Sequence, residues 1–183
     1  AVAEPMTQSS DSAIRSATSP ETQPESPAWW SQQYQAILVG ESDLLVVEER
    51  PIAEAELSQL ATLEQNLEQL LIDAGGVSDA SMKTIGRLSN LRHLRIRHSD
   101  ISDQGITNLL AGDELPSLQI LNLPHSSLTA AGIAQLAKLP QLRQLRIGGR
   151  QIDDHAVELI SQLPELRSLH LIGPQLTSKS LEA

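Results

Sequence analysis

Residues Leu142–Leu166 read LRQLRIGGRQIDDHAVELISQLPEL. Counting from Leu142, apolar residues fall at Leu145, Ile147, Ile152, Val157, Ile160 and Leu163, and the pattern restarts at Leu166. The opening Leu142, Leu145 and Ile147 have the close spacing of a strand facing a core. Val157, Ile160 and Leu163 have the i, i+3 spacing of one helix face. One unit of 24 residues therefore reads strand, turn, helix and return.

The unit recurs on both sides. Copies run from Leu67 (Leu70, Ile72, Val77, Met82, Ile85, Leu88), Leu91 (Leu94, Ile96, Ile101, Ile106, Leu109) and Leu118 (Leu121, Leu123, Leu128, Ile133, Leu136, Leu139). The copy from Leu91 is 27 residues long because extra residues enter at Ala111–Glu114. A degenerate first copy has Ser42 in the leading place, then Leu45, Val47, Ile52, Leu57, Leu60 and Leu63. The last runs Leu166, Leu169, Leu171, Leu176, Leu181 and stops inside its helix. A repeat of about 20–29 residues with this pattern marks stacked units, because one unit cannot bury its apolar face alone.

Turn chemistry follows the same period. Eleven residues into the units stand Ser78, Ser102, Thr129, Asp153 and Thr177, expected helix N-caps. The next place holds Glu54, Asp79, Asp103 and Asp154, carboxylates at the positive end of the helix dipole. Pro116, Pro140 and Pro164 follow the last apolar helix residue and stop each helix.

The run L-x-x-L-x-L-x-x-x-x-I/V/L-S/T-D/A, continued by the helical apolar residues, resembles a leucine-rich repeat. At this length it is similar to the ribonuclease-inhibitor-like subtype and to repeats in bacterial proteins. The resemblance covers residues 42–183. It implies an α/β fold, a right-handed leucine-rich-repeat solenoid with a parallel concave β-sheet, helices on the convex side and an N-terminal capping helix. It also implies non-catalytic protein recognition through the concave face. One departure concerns the turn after the strand, where the family often has Asn, Thr or Cys. Here Arg50, Gly75, Ser99, Ser126, Arg150 and Pro174 stand, which predicts a turn that varies from unit to unit.

Outside the repeats, residues 1–25 are rich in Ser, Thr, Pro, Glu and Gln and read as a disordered arm. The chain begins at Ala1, as a processed chain or a fragment would. Ala1-Val2-Ala3 has the small-x-small form of a signal-peptidase site without an apolar segment before it, so export and a cytoplasmic location both stay open. Residues 26–41 read as the capping helix, with Ser26 as N-cap, Pro27 at the first helical position and Trp30, Tyr34, Ile37 and Leu38 on one apolar face. The alternative for Trp29–Trp30 is an exposed anchor for a membrane interface or a partner. At the other end, Leu176 and Leu181 close a half-unit and predict an apolar edge available for assembly.

Composition excludes several functions. There is no cysteine, so no disulfide or thiol chemistry, and no apolar run long enough to span a membrane. A net charge of −10 disfavours nucleic acid, and the only aromatics, Trp29, Trp30 and Tyr34, precede the repeats. No nucleophile-elbow, zinc-protease, dinucleotide or phosphate-loop motif is present. Asp153-Asp154-His155 begins a helix, where capping accounts for both carboxylates. No cofactor is expected.

The charge is unevenly placed. Alternate strand residues point away from the helices, and they bring His93, Arg95, Arg97, His98, Asn122, His125, Gln144, Arg146 and His170 to one face or its rim. Most carboxylates, including Glu56, Glu64, Asp103, Asp154 and Glu158, fall on the helical side. This basic strip predicts an acidic protein or peptide ligand. Its competitor is charge satisfied along the strands: Asp73 and Arg97 occupy the same place in adjacent units and are expected to pair, worth about 0.2–1 kcal/mol. His98 and His125 also share a place in adjacent units. They read as surface histidines, with a pH-sensitive pair or a metal bridge as alternatives. Against the metal stand Gly149 in the next unit and the neighbouring arginines.

Overall fold

Six short strands stand one per unit, and the first five bury alternate residues, whereas the last buries none. They are β1 (Leu44–Val47), β2 (Gln69–Ile72), β3 (His93–Ile96), β4 (Ile120–Leu123), β5 (Gln144–Gly148) and β6 (Ser168–Ile172). In the computed structural model, which describes residues 27–112 and 115–178, they form one all-parallel sheet in chain order. Leu45, Leu70, Leu94, Leu121, Leu145 and Leu169 stand side by side across all six. Helices flank the sheet. α1 (Ala28–Leu38) precedes β1, and α2 (Glu54–Gln59), α3 (Met82–Ile85), α4 (Asp103–Leu109), α5 (Ala130–Gln135) and α6 (Asp154–Ser161) each follow a strand. The repeating leucines and isoleucines of strands and helices meet in one continuous core. The longer third unit keeps this register: its excess sits before Leu115, which is buried at φ +41°.

Three of the five expected caps form, Ser78 does not, and the helix that Thr177 would cap lies outside the described residues. Ser102, Thr129 and Asp153 accept from the amides of Gln104, Ala131 and Ala156. Ser78 does not cap a helix directly, because α3 is only four residues long and begins after Ser81. Instead Ser78 and Ser81 close a serine turn through their own hydroxyls and amides.

The carboxylates beside these caps do more than complement a dipole. Asp79 accepts from both the amide and the hydroxyl of Ser102, one unit on. Asp103 does the same with Thr129, at 2.9 and 2.6 Å, and Asp154 with Thr177. Each is a clamp from the helix start of one unit to the cap of the next. Charge-assisted bonds of this kind are the stronger class. Room for the carboxylate is made by glycine: a Cβ at Gly105 would strike Asp79 Oδ1, and one at Gly132 would strike Asp103 Oδ1. Where Ala130 replaces the clamping aspartate, the next unit carries Asp153 as its cap and Ala156 in the glycine's place. The three changes belong together.

At the start, α1 lies over β1. Trp30 is buried, with Nε1 donating to Gln59 Oε1 at 3.0 Å, which overturns the reading of this tryptophan as an exposed anchor. The Gln33 carboxamide accepts from Val46 N at 2.8 Å and donates to Val46 O at 3.0 Å, taking the place of a neighbouring strand. Arg50 lies over the Trp29 ring and pairs with buried Glu56 at 2.6 Å. Glu56, expected on the solvated helical side, is held inside by that arginine and by the Ala53 amide. Two further expectations are corrected. Pro27 is the N-cap and not the first helical residue, its carbonyl accepting the Ser31 amide, and Leu38 is exposed because it lies at the helix end beyond the reach of the core. Ser26, the arm 1–25 and Leu181 lie outside the described residues.

Candidate functional site

The face of the sheet turned away from the helices carries two rows of side chains, fixed by the register. One row runs Leu44, Gln69, His93, Ile120, Gln144, Ser168; the other runs Val46, Leu71, Arg95, Asn122, Arg146, His170. The surface is thus mostly apolar over β1 and β2, with Gln69 the exception, and mostly polar and basic from β3 onward, with Ile120 the exception. A shallow depression of about 260 Å³ lies over β4–β6, lined by Ile120, Asn122, Gln144, Arg146, Ser168 and His170. Asn122 Oδ1 is buried there with no hydrogen-bond partner among the described residues.

The arginines separate into a satisfied one and two free ones. Arg95 grips Asp73 with both arms, Nε to Oδ1 at 2.7 Å and Nη2 to Oδ2 at 2.5 Å. The expected partner of Asp73 was Arg97, which stands level with it. The difference has a geometric cause: Arg95 lies within β3 opposite Leu71, two residues before Asp73, and its planar fork meets both carboxylate oxygens across that diagonal. Arg97 follows the end of β3 and is exposed. Arg97 and Arg146 make no ion pair among the described residues, while Arg92 and Arg167 at the margin approach Glu68 at 3.1 Å and Glu165 at 3.9 Å. Pro124 and Gly148, at the ends of β4 and β5, are buried, the Pro124 carbonyl lying where a Cβ on Gly148 would stand.

His98 and His125 come together as their shared position implies. Their rings stack with centroids 4.6 Å apart and planes 21° from parallel. His98 sits in the left-handed region at φ +53°, which turns its amide toward His125 Nδ1 at 3.1 Å. His125 Nδ1 is therefore an acceptor, and the ring is neutral with its proton on Nε2. Burial holds its pKa below the ordinary 6.5, and the charges of His98, Arg97 and Arg146 push in the same direction. His93 is lowered as well, by burial first and then by Arg95. No group of three or more metal-capable side chains converges among the described residues.

Ser99 and Ser126, the two serines in the variable turn, are buried and bonded to neighbouring units. Ser99 Oγ accepts from Val77 N at 3.2 Å, and Ser126 Oγ donates to Gly148 O at 2.7 Å. At the far end of the sheet, Leu169 and Leu176 are exposed. Among the described residues, no helix is long and apolar enough to cross a membrane. Protein-family models give no match to the chain, and no curated protein matches it.

Proposed function

We propose that this chain is a leucine-rich-repeat scaffold, a right-handed solenoid whose sheet face binds an acidic protein or peptide without catalysis. The observation that carries the reading is the pair Arg97 and Arg146, two arginines without an ion-pair partner among the described residues, on a face where Asp73 is already held by Arg95. A carboxylate-rich segment laid across β3–β6 meets both guanidinium groups, and His93, Asn122, Gln144 and His170 offer it further polar contacts.

The test is fluorescence anisotropy with a labelled hexaglutamate peptide. Wild-type chain binds it with an affinity that falls as salt rises, because exposed charges are screened over about 8–10 Å. Arg97→Glu/Arg146→Glu weakens binding about tenfold or more. Salt-independent binding, or binding indifferent to the double variant, sinks the reading. A second reading, self-assembly through the last strand, is favoured by the exposure of Leu169 and Leu176. A mass that grows with concentration and returns to monomer in Leu176→Glu supports it.

A further inference from the structure

We propose that the anion site on the sheet face takes up a proton together with its ligand: Arg97 and Arg146 hold a carboxylate of the acidic peptide, and His125, stacked on His98, completes the site by becoming charged. This deepens the sheet-face reading and rests on it.

The argument starts from one hydrogen bond. His125 Nδ1 accepts the His98 backbone N–H, so the ring can take a second proton only at Nδ1 and only by giving up that bond. The free chain resists this change. It would strand the His98 amide and place a cation beside Arg97 and Arg146. A bound carboxylate reverses each objection: one of its oxygens accepts from both the released His98 N–H and the new Nδ1–H, and its charge offsets the crowded cations.

The other charged groups around the pair do not compete for this role. From the preceding unit come Asp73, occupied by Arg95, and Gly75, packed against the His98 carbonyl. From His98's own turn come Arg97 and exposed Asp100, which makes no ion pair among the described residues. From the following unit come Arg146, Gly149 and exposed Arg150. Arg97, Arg146 and Arg150 outnumber the one carboxylate here that is unpaired among the described residues, Asp100, which leaves the site short of anionic charge.

The experiment measures hexaglutamate affinity at pH 7.5, 6.5 and 5.5 at constant ionic strength, a range in which glutamate stays ionised. Wild-type chain binds roughly fivefold tighter at pH 5.5 than at 7.5 for one histidine raised by about one pKa unit. His93 and His170 lie on the same face, so His125→Gln assigns the effect: whatever it does to affinity at pH 7.5, it flattens the pH dependence. A proton NMR titration of the wild-type histidines gives a readout independent of that variant, with the His125 pKa rising when the peptide is added. Binding that Arg146→Glu weakens but that does not change with pH overturns the proton uptake and leaves the sheet-face reading standing. A pH dependence that survives in His125→Gln, or a His125 pKa unmoved by peptide, also overturns the proposal. Absence of binding at every pH overturns both.

Discussion

The first and last strands carry the same leucine at the same place in the unit, and the fold treats the two in opposite ways. Leu45 on β1 is 0% exposed, whereas Leu169 on β6 is 40% exposed. The difference lies in the neighbours. Beyond β1 stands α1, with Trp30 and Ile37 driven into the core, the Gln33 carboxamide paired to Val46, and Arg50 bridging Trp29 to Glu56. Beyond β6 no further strand or helix stands among the described residues. An identical sequence pattern is thus worth little alone, and stability resides in contacts between units.

Breaking the closed end has the largest expected effect. Trp30→Ala removes the biggest buried side chain of α1 and the bond to Gln59, and urea denaturation is expected to show a loss of about 3–5 kcal/mol. The two leucines give the sharper comparison. Leu45→Ala costs about 2–5 kcal/mol, and Leu169→Ala about 1 kcal/mol or less, since its side chain is already in water. Equal losses would mean that β6 is covered in solution, as the assembly reading requires.

The clamps between units come next. Asp103→Ala leaves the Thr129 amide and hydroxyl without their acceptor and is expected to cost about 1–3 kcal/mol. The interrupted clamp supplies the converse. Ala130→Asp alone destabilises, because the new carboxylate meets Asp153 and the Cβ of Ala156. Combined with Asp153→Thr and Ala156→Gly it recovers that loss or exceeds it. Additive effects in thermal melts of the three changes would show that they are not coupled.

Much of this was legible in the residues, and the failures share a cause. The apolar period locates all six strands, and in-register parallel pairing follows from it, because each unit offers its neighbour the same edge. The basic strip was legible too, since alternation alone decides which strand residues leave the core. Side-chain reach was not. Position in the unit matches Asp73 with Arg97, but an arginine two residues earlier spans the diagonal and takes both oxygens. Asp79 and Asp103 look like ordinary first-turn carboxylates until they are seen to grip the following unit. The signal that exposes them, Asp79 with Gly105 and Asp103 with Gly132 against Ala130 with Ala156, lies in the sequence but spans two units. Gln33 gives no local sign of its role, because an amide that imitates a strand has no pattern of its own.

The central claim, that unpaired arginines on the sheet face hold an acidic ligand, is tested most directly by adding one more. Asp73→Asn removes the charge that occupies Arg95 and creates no new basic residue. Hexaglutamate anisotropy at low salt is the measurement. The account predicts several-fold tighter binding than wild type, because three arginines instead of two then face the ligand. Unchanged or weaker binding in a variant that still folds would contradict it.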